Sequence, residues 1–189
     1  MGEHDTVLRS MHDTGLAAWF GGSLMGAVGL NGAAAKVEKK EERLAVASMG
    51  WSRWAPVSLT AIVAHLVGAT GILLSERRRV AGQRGVAAMS VAKTGLTIAA
   101  MGATAYTGNL GMKLSKAGHV PVEGPTKSAD DTPEDVRMIQ RRQRIAQWSV
   151  PALTGALLAV SALAGEQQKP ASMAQGVVGR IGNLVSRMR

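Results

Sequence analysis

Apolar and charged positions alternate along this chain on the scale of whole helices rather than of single residues. Thr14 to Ala34, Trp54 to Ser75, Thr94 to Met112 and Ile145 to Gly165 each run for about twenty residues without a fixed charge, and charged connections separate them. The hydrocarbon core of a bilayer takes roughly 20 helical residues to cross. The pattern therefore predicts an all-α fold, a polytopic membrane protein built as a four-transmembrane-helix bundle over residues 1–165. Its spans fall at about 14–34, 54–75, 90–112 and 145–165, with a loop over 113–132 and a basic tail over 166–189.

The connections carry their own signals. Lys36 to Arg43 sets Glu38 four residues from Glu42 and Lys39 four from Arg43, as on one face of a solvated helical extension that Gly50 would end. Trp51 and Trp54 stand where interfacial aromatic residues collect, and Pro56 falls in the first turn of the second span, where a missing N–H costs little. Glu76 to Arg84 holds four arginines in what reads as a tight hairpin. Lys93 either opens the third helix or lies about two turns inside it with its ammonium snorkelling outward. Thr132-Pro133-Glu134-Asp135 joins an N-cap residue, a proline at the first helical position and an acidic first turn. A helix should run from there to about Gly165, kinked at Pro151. In the tail, Met173, Val177, Ile181, Leu184 and Met188 recur at helical spacing. They fit a basic amphipathic helix on a headgroup surface, or equally a helix packed on the bundle or a partly disordered tail.

The two halves echo one another. Thr14-Gly15-Leu16 recurs as Thr94-Gly95-Leu96, Gly22 matches Gly102, and Trp54, Leu59 and Thr60 recur as Trp148, Leu153 and Thr154. Either the chain repeats one helix pair, or the matches are coincidences of Ala- and Gly-rich helices.

Composition narrows the class. A mean hydropathy of only +0.07 averages apolar spans against charged connections, and one Phe and one Tyr are fewer than a soluble core of this size would use. The absence of cysteine excludes disulfides, thiolate metal sites and cysteine nucleophiles. The net charge of +9 could point to nucleic acid, but the basic residues gather at the ends of the apolar stretches, where anionic lipid headgroups are the expected partners. Nucleic acid is not expected as a partner. Ala33 to Ala35 resembles a signal-peptidase site, yet the acidic residues before Thr14 lack the positive region of a signal peptide, so the first helix should be retained. Lys and Arg divide almost evenly between the two sides. The arginines of the second connection and the basic tail favour cytoplasmic N and C termini in the cell membrane.

Chemistry inside the spans is sparse. Gly22 and Gly26 form a GxxxG pair, and Ala99, Ala103, Thr107 and Gly111 make a small-residue stripe; both are packing devices, within one chain or in a homo-oligomer. His65 stands near the middle of the second span, where an ionisable side chain marks a functional site unless a Ser, Thr or carbonyl satisfies it. His12 precedes Asp13 just before the first span, a pair fit to bind a metal, relay protons or form a polar turn. With Met11 and Met25 nearby, His12 and His65 are the candidate metal residues, for copper or haem. No P-loop, GxSxG or HExxH occurs, and no carboxylate lies within a span, so no enzymatic activity is expected.

His12-Asp-Thr-Gly-Leu-Ala-Ala-Trp19-Phe-Gly21-Gly22 resembles the opening helix of small four-helix membrane proteins in the copper-resistance-D-like group. That resemblance implies a four-helix architecture and a metal or small-molecule role for His12 and Trp19. The residues themselves point first to a non-enzymatic structural or accessory membrane factor, part of a larger membrane complex or homo-oligomer. The alternative is a protein that handles a metal, haem or a small solute through His12 and His65.

Overall fold

Backbone hydrogen bonding has to be satisfied along each uncharged stretch, and the chain does so in four long helices. The structure, a computed structural model, describes residues 3–75 and 84–187, with side chains described over 6–75 and 87–163. Helix α1 (Glu3–Met25) widens into a π-helical turn (Gly26–Leu30) and resumes as the short α2 (Asn31–Ala34). Next come α3 (Arg43–Ser75), α4 (Arg84–Ser115) and α5 (Glu134–Arg187). The α1–α3 and α4–α5 pairs pack most extensively, α1 also meets α5, and α3 touches α4 less. The start of α1 and the Ser75 end of α3 share one end of the bundle, where Leu8 meets Gly71.

Each helix turns one seam inward with alternating steps of three and four residues. In α1 the seam is Leu8, His12, Gly15, Trp19, Gly22 and Gly26. In α3 it passes through Leu44, Ala47, Trp51, Trp54, Ala61, His65 and Gly68, and in α4 through Thr97, Ala100, Thr104, Thr107 and Leu114. In α5 it passes through Val136, Gln140, Gln147, Val150, Thr154 and Leu157. A repeat of 3.5 residues is the packing period of left-handed bundles. These seams, however, are rich in Gly, Thr, Gln and His, while Leu59, Val63, Val67, Ile98, Ile145 and Leu163 face outward. Two helices, Lys40–Ser75 and Glu134–Leu163, are long and apolar enough to cross a membrane, and only 17% and 22% of their apolar windows are buried within the protein. Helices α1 and α4 fall short of the same measure among the described residues.

Several sequence expectations need correction. Residues 35–39 turn instead of extending a helix: Lys39 is extended (φ −79°, ψ 116°) and a 3-10 turn (Lys40–Glu42) leads into α3. Gly50 does not end a helix; α3 passes through it and through Pro56, which lies well inside. The Leu30 side chain fills the space where a Cβ on Gly50 would stand. Trp51 and Trp54 are not belt residues, since their rings lie over Gly26 and Gly22 of α1. Thr132 does not cap α5: its hydroxyl accepts from the Ala129 N–H (2.7 Å) and donates to the Pro121 carbonyl (2.7 Å). Of the small stripe on α4, Ala103, Thr107 and Gly111 are half-buried and Ala99 is exposed. The hairpin expected over 76–84 lies, but for Arg84, outside the described residues; over 166–189 the backbone is helical to Arg187 and the side chains lie outside the description.

The echo between halves does not extend to packing. Gly22 holds the Trp54 ring, but the matching Gly102 faces open space and Trp148 is 47% exposed.

The 113–132 segment is more ordered than a loop. Gly118 takes the left-handed conformation (φ 73°), and β1 (Val122–Gly124) pairs antiparallel with β2 (Lys127–Ser128). Buried Gln140 of α5 stitches this hairpin down: its Nε2 donates to the Gly124 and Pro125 carbonyls, and its Oε1 accepts from Ser128. Arg43 donates to the Val122 and Glu123 carbonyls, and Leu44, Leu114, Val122 and Val136 close a small apolar core beneath. The cap therefore seals one end of the bundle, and the histidines lie toward the other.

Candidate functional site

His12 and His65 meet because α1 and α3 run antiparallel on reciprocal glycines. Each histidine is followed by a glycine three residues on, Gly15 and Gly68. A Cβ on Gly15 would stand 2.5 Å from the Ala61 carbonyl oxygen and 2.6 Å from the His65 nitrogen, and one on Gly68 would strike the His12 nitrogen and the Leu8 carbonyl. Each glycine thus seats the backbone of the other helix's histidine. The imidazole centroids come to 4.5 Å at a 45° tilt, and both residues are buried, His65 completely.

Their hydrogen bonds set their chemistry. His65 Nδ1 faces the His12 carbonyl at 3.3 Å, and Nε2 faces the Thr97 hydroxyl at 3.4 Å. A carbonyl only accepts, so Nδ1 carries the proton and Nε2 accepts from Thr97. His65 in this way ties α3 to α1 and α4. His12 Nδ1 lies 2.7 Å from the Asp13 carboxylate, which orients that ring while its own side chain stays 63% exposed. Trp19, its ring centroid 6.1 Å from that of His65, donates from Nε1 to Thr104 at 3.1 Å.

The pair borders a cavity of about 540 Å³ that reaches all four long helices. Arg9, Asp13 and Lys93 bring charge to it, Thr97 and Ser161 bring hydroxyls, and Ile98, Met101 and Leu157 form apolar wall. Lys93 lies inside α4, well past its start at Arg84, which settles its place in the helix. It forms no ion pair among the described residues. The Ser161 hydroxyl is buried with no hydrogen-bond partner. Sequence periodicity had placed none of Arg9, Thr97 or Ser161 at the site. The shared His-x-x-Gly spacing of residues 12–15 and 65–68 was the one signal that could have joined the two histidines.

For a metal, the geometry offers two imidazoles. Among the described residues no group of three or more His, Cys, Asp and Glu side chains is placed to hold an ion. Rings in contact leave no gap for a porphyrin between them. No protein-family model matches the chain, and no curated protein or solved structure matches it.

A second polar cluster lies nearer the cap. Asn31, carried inward by the π-helical turn, donates from Nδ2 to Gln147 at 2.9 Å and accepts from Trp51 Nε1 at 3.0 Å. It joins α2, α3 and α5 through one donor and one acceptor of its amide.

Proposed function

We propose that the chain is a multi-pass protein of the cell membrane in which all four long helices cross the bilayer, serving as a non-enzymatic structural or accessory factor. The observation that carries this reading is the inverted polarity of the bundle. Its seams are small and polar, its outer surface is apolar, and that is the arrangement lipid rewards and water does not. Interior polar groups pair across helices, as His65 does with Thr97 and Trp19 with Thr104, which is what hydrocarbon surroundings require. The arginine-rich second connection and the basic tail favour cytoplasmic termini and contact with anionic headgroups. Washing membranes with alkaline carbonate should leave the chain in the pellet, and detergent should release it; release by carbonate would overturn the reading. Purification in mild detergent then distinguishes a homo-oligomer from a subunit of a larger complex.

A second reading has one observation in its favour: the His12–His65 pair stands at a ligand-sized cavity. On it, the protein handles a small solute or copper there, in keeping with the likeness of residues 12–22 to the copper-resistance-D-like opening helix. Stoichiometric copper in purified protein, lost in H65A, supports a metal role, and metal-free protein in both sinks it.

A further inference from the structure

A second cavity, of about 530 Å³, lies toward the cap, where α3 and α4 pack sparsely against each other. Trp19, Trp51 and Trp54 wall it, and the hairpin turn closes its cap end with Pro125 and Thr126. Leu59 of α3 and Met112 of α4 line it and are 62% and 59% exposed, so it opens between those helices onto the apolar outer surface. Gly108 and Gly111 keep the α4 wall low, since an added Cβ at either would meet nothing within 4 Å. The volume falls in the range of about 300–1,000 Å³ usual for sites that hold a small molecule.

Its polar lining is of one kind. No Asp, Glu, Lys, Arg or His borders it among the described residues, so an ion entering would leave water with no countercharge to meet it. The hydroxyls of Ser23, Ser52, Thr107 and Ser115 donate to carbonyls of their own helices and have only lone pairs left to offer. Gln143 also lines the cavity, and its buried Oε1 has no hydrogen-bond partner, which costs stability until something donates to it. A neutral guest with a donor answers these groups, and a guest with acceptors alone answers none of them.

We propose that this cavity binds one neutral, lipid-like alcohol, its hydroxyl donating to Gln143 Oε1 and its hydrocarbon chain lying along the tryptophans and out between Leu59 and Met112. The last torsion of a glutamine is soft, so the carboxamide turns its oxygen to the guest at little cost. Such a guest enters sideways from the bilayer. The inference goes beyond the structural-factor reading and rests on the bilayer assignment for the source of its ligand.

The test uses the full chain in phosphatidylcholine nanodiscs, photolabelled with a dodecanol analogue carrying a diazirine on its chain and mapped by mass spectrometry. Label within 44–62 and 104–115 should be displaced by excess dodecanol, whereas label on the outer residues Val67 and Ile98 should not. Dodecyl methyl ether, which has no donor, should displace about fivefold less well, the margin that one hydrogen bond supplies, and dodecyltrimethylammonium should be a poor competitor. In Q143L the preference for alcohol over ether should vanish. G111L fills the cavity and should abolish displaceable label, with a cooperative thermal transition showing that the variant is folded. Label that dodecanol does not displace, equal displacement by alcohol, ether and ammonium in the natural chain, or full labelling of folded G111L would overturn the proposal. Carbonate extraction reads the bilayer assignment by itself, so a failure of the site and a failure of that assignment are distinguishable.

Discussion

At the scale of single residues, the glycines divide into two kinds that look identical in the sequence. Gly15, Gly22, Gly26 and Gly68 on the α1–α3 seam would meet backbone or ring atoms of the partner helix, whereas Gly95, Gly102, Gly108 and Gly111 of α4 would have nothing within 4 Å of an added Cβ. G68A places a methyl against the His12 backbone, which cannot swing aside as a side chain would, and should destabilise by about 1–3 kcal/mol. G102A meets open space and gains helix propensity, so it should be neutral or stabilise by about 0.5–1 kcal/mol. Thermal unfolding in one detergent orders the two variants, and G68A as stable as G102A would show that the two helices do not meet on these glycines. The Asn31 cluster gives a parallel case. W51F keeps the ring over Gly26 but leaves the Asn31 oxygen without its indole donor, at a cost of about 1 kcal/mol; an unchanged midpoint would rule that bond out.

At the scale of elements, the cap carries one exposed ion pair in addition to the Gln140 and Arg43 bonds and the burial beneath it. Lys40 Nζ meets Glu123 Oε1 at 2.6 Å, and Arg43 lies 3.7 Å from the other oxygen. The hydrogen bond from Lys40 holds the Glu123 carboxyl below its ordinary value of 4.5, and Glu123 raises Lys40 above 10.5. A lowered carboxyl contributes stability above its unfolded value, lost as pH falls through the folded one; a raised amine contributes below its unfolded value, lost as pH rises through the folded one. The hairpin should therefore be best protected between about pH 4.5 and 10.5. Hydrogen exchange at the β1–β2 amides, corrected for intrinsic rates, should accelerate below that window in the natural chain and change little with acid in E123Q. Equal acid sensitivity in both would remove the pair from the account. None of this cap was legible beforehand, because Val122 to Ser128 is too short and too rich in Gly and Pro to show a strand period, and its order comes from Gln140 and Arg43 at a distance. The extents of the helices were partly legible. Charge marked where α1 turns and where α4 ends. Gly50 and Pro56 misled because their local tendency to end a helix is overridden by packing of α3 against Leu30 and the rest of α1.

At the scale of the whole molecule, the same small and polar residues that made hydropathy ambiguous are the ones that hold the bundle together. Thr97, Thr104, Gln147 and Thr154 sit on the seams, so counting apolar residues along a helix cannot separate its outer face from its interior. His12 and His65 were each visible as unusual, but their meeting depends on the antiparallel register of α1 and α3, which no single helix encodes. That register also staggers the uncharged stretches: Gly22 faces Trp54 and Gly68 faces His12, so Arg9 and Asp13 lie level with the uncharged half of α3. Whether α4 spans the membrane beside α3 is then the decisive structural prediction, and the lack of native cysteine makes it directly testable. Ile98 and Gly102 of α4 face outward, as do Leu59 and Val63 of α3, while Lys116 stands beyond the end of α4. In sealed vesicles treated with a membrane-impermeant maleimide, I98C, G102C, L59C and V63C should all resist labelling until the bilayer is dissolved, because a thiolate forms poorly in hydrocarbon and the reagent cannot enter it. K116C should label from one side only. If I98C and G102C label as fast as K116C while the α3 positions stay protected, α4 lies in water against a two-span core, and the four-span bundle is wrong.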